Sequence, residues 1–255
     1  MSKGKLLLRQ ISLNLFLVLI IIQPNLAATL KYDPPTQGMP SDRTDGGSRN
    51  HPPFPTTLQY DPPMRGAPGD RGDAGSRSPY DISAISPATN LGLTAAEYPT
   101  FWLYVPTRIS SRLSIQLILR NENKQVIYRT TFEITQGKGI VNFRLPKTAP
   151  PLEIGRKYQW VFRSEDLTRY GWVERVALKP EIVSQLATAT PRQRVLIFAQ
   201  NGIWYETLTE LAELRRTHPQ DAEIAADWAA LLQHRLVRLD KIVAEPFLPC
   251  CTPEE

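Results

Sequence analysis

From Phe101 onward the apolar residues recur with period two, and from Thr190 onward with helical spacing. Leu113, Ile115, Leu117 and Leu119 fall on one face of an extended chain, with Ser114, Gln116 and Arg120 on the other, which predicts a half-buried strand. Asn121-Glu122-Asn123-Lys124 supplies turn formers. Val126, Tyr128, Thr130, Phe132 and Ile134 then alternate with Arg129, Thr131 and Glu133, predicting the returning strand of a hairpin. Further strands are expected at Phe101–Val105, Ile140–Leu145, Tyr158–Phe162 and Gly171–Leu178, punctuated by Gly137, Gly139 and the Pro150-Pro151 break.

Thr190-Pro191 offers a capping hydroxyl followed by proline at the first helical position, so a helix is expected there, ending at Asn201-Gly202. A second helix is expected from about Ile203 to Arg216, with Leu208, Leu211 and Leu214 on its buried face and His218-Pro219 as its stop. Asp221 opens a third, carrying Ile224, Trp228, Leu231, Leu232 and Leu236. The spacing of Gly202, Trp204 and Pro219 resembles one tetratricopeptide unit, although Thr207 and Leu214 stand where that family has small residues. An αα-hairpin plus a third helix fits the same pattern.

The expected fold is therefore mainly β plus α. An antiparallel β-sandwich of immunoglobulin or fibronectin type, or alternatively a barrel, occupies 82–179, followed by a small tetratricopeptide-like helical domain at 180–244 and a flexible tail at 245–255. Ahead of these, Lys3, Lys5 and Arg9 precede the short apolar stretch Ile11–Ile22 and the small residues Ala27 and Ala28. That is the pattern of a signal peptide over 1–28, with an uncleaved anchor as the alternative. Residues 29–81 read as a disordered Pro/Gly-rich linker. Within it, residues 30–49 recur at 58–77, offset by 28 with 13 identities in 20 positions. Tyr32 and Tyr60 are the aromatic handles of the two copies, and a repeated Tyr-Asp-Pro-Pro is either plain spacer or a docking motif of polyproline geometry.

Composition changes this picture in one respect. The net charge of +5 shrinks to 27 basic against 25 acidic residues once 1–28 is removed, which argues against nucleic acid as a partner. The charge is uneven: 82–179 carries 14 basic and 7 acidic side chains, and 180–255 carries 7 and 11. The basic excess of the β region is either solvated or faces an anionic glycan or surface. Cys250 and Cys251 are adjacent and cannot staple the core, so the fold is expected to stand without disulfides.

Candidate chemistry is sparse. His51 lies in the linker and His218 and His234 at helix positions, Glu165-Asp166 reads as a solvated turn, and Arg71-Gly72-Asp73 is not repeated in the other copy. No nucleophile elbow or zinc spacing occurs in the sequence, so no catalytic residue, cofactor or metal is expected, and the chain is read as not an enzyme. The tryptophans Trp102, Trp160 and Trp172 fit core positions better than sugar platforms. Trp102, Tyr104, Trp204 and Tyr205 are nevertheless the aromatic candidates for ligand or partner contact, together with Tyr32 and Tyr60.

One resemblance joins these segments. Pro62-Pro63-x-x-Gly66-x-Pro68-Gly69-x-Arg71, Ala74-Gly75-Ser76-Arg77, Pro87-Ala88-Thr89-Asn90-Leu91-Gly92-Leu93, Tyr98-Pro99-Thr100-Phe101-Trp102, Tyr128-Arg129-Thr130-Thr131-Phe132, Ala149-Pro150-Pro151-Leu152-Glu153, Gly171-Trp172-Val173 and Gly202-Ile203-Trp204-Tyr205 together resemble the exported cyanobacterial family called domain of unknown function 928. The resemblance covers about 60–240, with a shorter loop between Phe162 and Gly171 than the family pattern. It implies an envelope or periplasmic protein with no assigned activity. The expected role is a non-catalytic interaction or scaffold protein with an exported partner and no membrane span after signal cleavage. Binding of glycan or an anionic cell-surface polymer through the β domain is the alternative.

Overall fold

The computed structural model describes residues 82–109, 113–135, 137–165 and 167–249. The expected signal peptide, the duplicated linker with Tyr32 and Tyr60, Asp166 and the cysteine pair lie outside them. Among the described residues eight strands precede four helices: β1 (Ser83–Ala84), β2 (Leu91–Thr94), β3 (Thr100–Ile109), β4 (Leu113–Arg120), β5 (Val126–Ile134), β6 (Gly137–Arg144), β7 (Lys157–Arg163), β8 (Thr168–Arg175), α1 (Pro180–Thr188), α2 (Pro191–Gln200), α3 (Trp204–Thr217) and α4 (Ala222–Gln233). A 3₁₀ turn at Asp240–Ile242 follows.

The strands form a three-stranded sheet, β1-β3-β6, and a five-stranded sheet, β2-β8-β7-β4-β5. The predicted hairpin is β4-β5, in register from Leu113 opposite Ile134. Its turn is fixed by the Asn121 carboxamide, whose Oδ1 accepts from the backbone N–H groups of Asn123 and Gln125 at 3.0 Å each. Ladders are antiparallel except β2-β8, which is parallel, so the sheet is mixed where the sequence predicts an antiparallel one. Rings from the two sheets meet. Phe132 of β5 stacks on Phe143 of β6 with centroids 5.3 Å apart, and Phe101 of β3 meets Phe162 of β7 edge-on at 6.2 Å.

The helix signals act as expected at their ends. Thr190 caps α2 in a reciprocal capping box with Gln193, and Asp221 caps α4 by accepting from Glu223 and Ile224. The helix α1 carries no such signal: no side chain caps it, and among its residues only Ile182 is buried. Two forked ion pairs tie α2 to its neighbours. Arg192 donates to Asp227 of α4 at 2.7 and 3.2 Å, and Arg194 to Glu210 of α3 at 3.1 and 2.6 Å.

Residue 180 marks a change of secondary structure and does not separate two cores. One apolar cluster runs from Ile82 and β3 through β7 into Trp204, Leu208, Leu211, Trp228 and Ile242. The first turn of α3 presses on β2 at Gly92, where a Cβ would come within 2.7 Å of the Tyr205 ring and 3.0 Å of Trp204. Of the expected buried face of α3, Leu208 and Leu211 are fully buried and Leu214 partly so, and the helix contacts β2 and β3 as well as α2 and α4.

The expected flexible tail is corrected at its start. Pro246–Leu248 lies along β6: the Ile140 N–H donates to the Pro246 carbonyl at 2.7 Å, and the Leu248 N–H to the Ile140 carbonyl at 2.8 Å. Gly139 permits this approach, since a Cβ there would overlap the Pro246 carbonyl. Two prolines and a charge masked the segment's Phe247 and Leu248 in the sequence pattern.

Candidate functional site

Of the aromatic residues expected to contact a ligand, the four that are described belong to the interior. Trp102 is 2% exposed and donates its indole N–H to Thr209 at 3.0 Å. Trp204 is fully buried and donates to the Ile85 carbonyl at 3.3 Å. Burial pushes the Tyr205 hydroxyl up from its ordinary range. Tyr104 donates its hydroxyl to Glu245 at 2.9 Å, and Lys138 meets the same carboxylate at 2.6 Å. Burial, then Glu245, raises Tyr104. These rings hold helices and the C-terminal segment on the strands, so they present no face to a ligand.

Glu206, in the first turn of α3, is the most perturbed carboxylate among the described residues. Its Oε1 accepts from the Thr94 hydroxyl and the Ala95 and Ala96 N–H groups at 2.8, 3.0 and 2.9 Å, clipping the end of β2 to the helix. Its Oε2 is sealed from solvent without a donor. Burial outweighs the three bonds and raises its pKa. Neither the groove beside the β4-β5 turn nor the one across β4, β7 and β8 is lined by it, and the group reads as a structural clip. Because the folded value is raised, the folded chain holds more protons than the unfolded one. The stability this contributes is present below the ordinary value near 4.5 and is lost as pH rises above it. Glu206→Gln, which retains an acceptor for the three donors, is expected to flatten the fall in melting temperature between pH 4.5 and 7.5. Parallel curves for variant and parent would contradict this.

The outer face of the five-stranded sheet is different. β4 sends Leu117 and Leu119 inward and Gln116, Ile118 and Arg120 outward, because side chains alternate across a strand. β7 likewise buries Tyr158, Trp160 and Phe162 and turns out Gln159, Val161 and Arg163. β8 buries Gly171 and Val173 and turns out Thr168, Tyr170 and Trp172. Trp160 needs Gly171 opposite it, since a Cβ there would overlap its ring.

Strand register arranges the outward residues in three rows: Arg120 with Gln159 and Trp172, Ile118 with Val161 and Tyr170, and Gln116 with Arg163 and Thr168. A groove of about 270 Å³ runs across them. Its floor is apolar, Ile118 and Val161 being buried at 4% and 6% exposure. Arg120 and Arg163 stand at its two ends, and Arg129 of β5 is opposite Ile118. Among the described residues no carboxylate lies within ion-pair distance of these three guanidinium groups. The acids of this face, Glu133 opposite Ser114 and Glu174 beside Lys157, stand in the outermost rows and have partners of their own. The Arg120 Nε and the Trp172 indole N–H are closed from solvent with no acceptor among the described residues. The face is thus a donor-rich groove with an apolar floor.

A second groove, about 180 Å³, lies beside the β4-β5 turn, but Glu122 and Arg156 within it pair at 3.2 Å. His218 meets Thr217 at the end of α3, and His234 accepts from Leu236 at the end of α4. Among the described residues no three His, Cys, Asp or Glu side chains group as for a metal ion.

Residues 66–247 match the family described as Domain of Unknown Function (DUF928). The chain belongs to that family. The match takes in every described strand and helix, and no curated protein matches the chain. Among solved structures, the crystal structure of a beta-glucosidase from Listeria innocua in complex with gluconolactone is similar at 13% identity and a TM-score of 0.25. The similarity covers 58% of this chain and 22% of that one. So slight a likeness carries nothing over to this DUF928 member.

Trp172, in the cross-strand row of Arg120 and Gln159 beside the groove, is singled out by its residue type, whereas none of the groove's own lining residues is. Arg120, Gln159, Val161, Arg163, Thr168 and Tyr170 belong to three separate strands, and the sequence signal that marks them is no more than outward phase. No helix among the described residues is long and apolar enough to cross a membrane.

Proposed function

We propose that this DUF928 member is a non-catalytic binding module of the cell envelope that holds an anionic polymer on the outer face of its five-stranded sheet. The observation carrying the reading is the groove between Arg120 and Arg163, whose lining offers cations, amide and hydroxyl groups and no carboxylate. Export, expected from the Lys3–Ala28 pattern, would put that face in contact with envelope polymers. A sandwich architecture for the β part is supported by the Phe132–Phe143 and Phe101–Phe162 contacts between sheets. A tetratricopeptide-like reading of the helices is supported by Gly202 and Pro219 flanking α3, though α3 packs on strands where a repeat would pack on a further repeat.

The test is retention of the full chain on an immobilised polyanion at low salt. Retention is expected to fall steeply with added salt, as for any contact made by several exposed cations. The triple variant Arg120→Gln/Arg129→Gln/Arg163→Gln should elute with the flow-through while melting like the parent. Undiminished retention of that variant would remove the sheet face from the reading. A pull-down from an envelope fraction addresses the scaffold reading: partners retained after deletion of 82–244 would count against it.

A further inference from the structure

Resting on that reading, we infer that the groove on β4, β7 and β8 takes a carboxylate-bearing oligosaccharide, lying along the strands with sugar rings on Val161 and Tyr170 and acid groups on Arg120 and Arg163.

Three observations narrow the ligand to this class. The charges are unbalanced: Arg120 donates from Nη1 to the neutral Gln159 Oε1 at 3.5 Å, and among the described residues no carboxylate pairs with Arg120 or Arg163. A guanidinium fork matches the two oxygens of a carboxylate. The floor is apolar: Ile118 and Val161 are flush with the sheet, and Tyr170, opposite Val161, is half-buried with its ring on the same face. A pyranose presents an apolar C–H face to such a floor and hydroxyls to the rim, where Gln159 and Thr168 stand.

The geometry also has a repeat. Arg163 is opposite Gln116, four residues along β4 from Arg120, so the two cations are separated by about 13 Å along the strands. One small anion cannot reach both ends, whereas an acid-bearing chain of a few units can.

The competing anions fit less well. A lipid surface needs exposed apolar anchors around the cations, and the exposed large apolar residues among those described are Val126, Ile154 and Val183, none of which lines the groove. An extended acidic peptide gains affinity by pairing with a sheet edge. This groove lies over β7 and β4, which are paired on both sides, so no backbone edge is open to it.

The experiment uses the full chain in affinity electrophoresis and titration against alginate as a polyuronate, with polyglutamate, dextran sulfate, neutral dextran and phosphatidylglycerol vesicles alongside. Alginate is expected to retard the protein, while dextran leaves it unmoved and polyglutamate and vesicles bind at least tenfold more weakly. Arg120→Gln/Arg163→Gln should lower alginate affinity by at least a hundredfold, and Tyr170→Ala by about tenfold, without loss of the folded circular dichroism spectrum. Lys147→Gln/Lys124→Gln, away from the groove, removes the same two charges as the double arginine variant and should bind like the parent. Equal binding of alginate, polyglutamate and dextran sulfate, with Tyr170→Ala unchanged, would overturn the sugar assignment and leave the anionic reading standing. Binding of none of the polyanions, or binding that survives the double arginine variant, would overturn both.

Discussion

Trp204→Ala is expected to destabilise the chain by about 3–5 kcal/mol, the range for deleting a large buried aromatic side chain. Trp204 is fully buried at the first turn of α3, packed over Gly92 of β2 and donating to the Ile85 carbonyl beyond β1. No small rearrangement fills the space it would leave, because the ring is enclosed by backbone on the strand side. Its position decides more than a stability value. Were the strands and helices independent domains, the loss would fall on one of two transitions. With a single apolar cluster running from Ile82 to Ile242, both parts are expected to unfold together in parent and variant. Far-ultraviolet circular dichroism at 222 nm, dominated by helix, and near-ultraviolet signals from Trp102 and Trp160 in the strands should then give one coincident denaturation curve. Trp204→Phe, which keeps a ring and loses the hydrogen bond, should cost less than the alanine variant. Two separated transitions would contradict the single core.

What the sequence made legible was what depends on neighbours along the chain. The β4-β5 hairpin follows from alternation on both sides of Asn121–Lys124, and the starts of α2 and α4 follow from Thr190 and Asp221, whose side chains cap their own helices. β1 and β2 escaped because two and four residues are too short to show a period. β2 also joins β8 in parallel, a pairing between residues 81 positions apart, as Leu91 with Trp172. The helix α1 escaped because its nine residues start without a capping side chain, although Ile182, Val183 and Leu186 fall on one side of it.

The candidate site was less legible than the fold. Residue type drew attention to Trp102, Tyr104, Trp204 and Tyr205, but large aromatics in phase with core positions are core, and all four pack between elements. The basic excess of 82–179 was visible as a total. Its concentration into Arg120, Arg129 and Arg163 on one face needs the registers of β4, β5, β7 and β8, which alternation alone does not set. An outward arginine on an isolated strand looks solvated. Only pairing shows that its neighbours are Gln159 and Trp172 and that no acid faces it.

Removing the segment after Glu245 is expected to have the second large effect, and a different one in kind. Phe247 stands between Trp102, at 6.0 Å, and Trp228, at 5.3 Å, with the Arg216 guanidinium 5.0 Å from its ring. It therefore bridges a strand, α4 and α3 at once. Because the ring is half-buried, Phe247→Ala is expected to cost about 2–4 kcal/mol, below the range for a fully enclosed phenylalanine. Deleting 246–255 removes in addition the two backbone bonds to Ile140 and uncovers the outer edge of β6, the last strand of the three-stranded sheet. An open edge flanked by newly exposed Trp102 invites pairing with another chain, so the deletion should associate with rising concentration where Phe247→Ala does not. Chemical denaturation measures the first effect and size-exclusion chromatography over a concentration series the second. The variant Cys250→Ser/Cys251→Ser, with the strap intact, separates loss of the strap from loss of the cysteines and should match the parent in both. A deletion that stays monomeric with parental stability would show that the strap neither covers the edge nor supports the core.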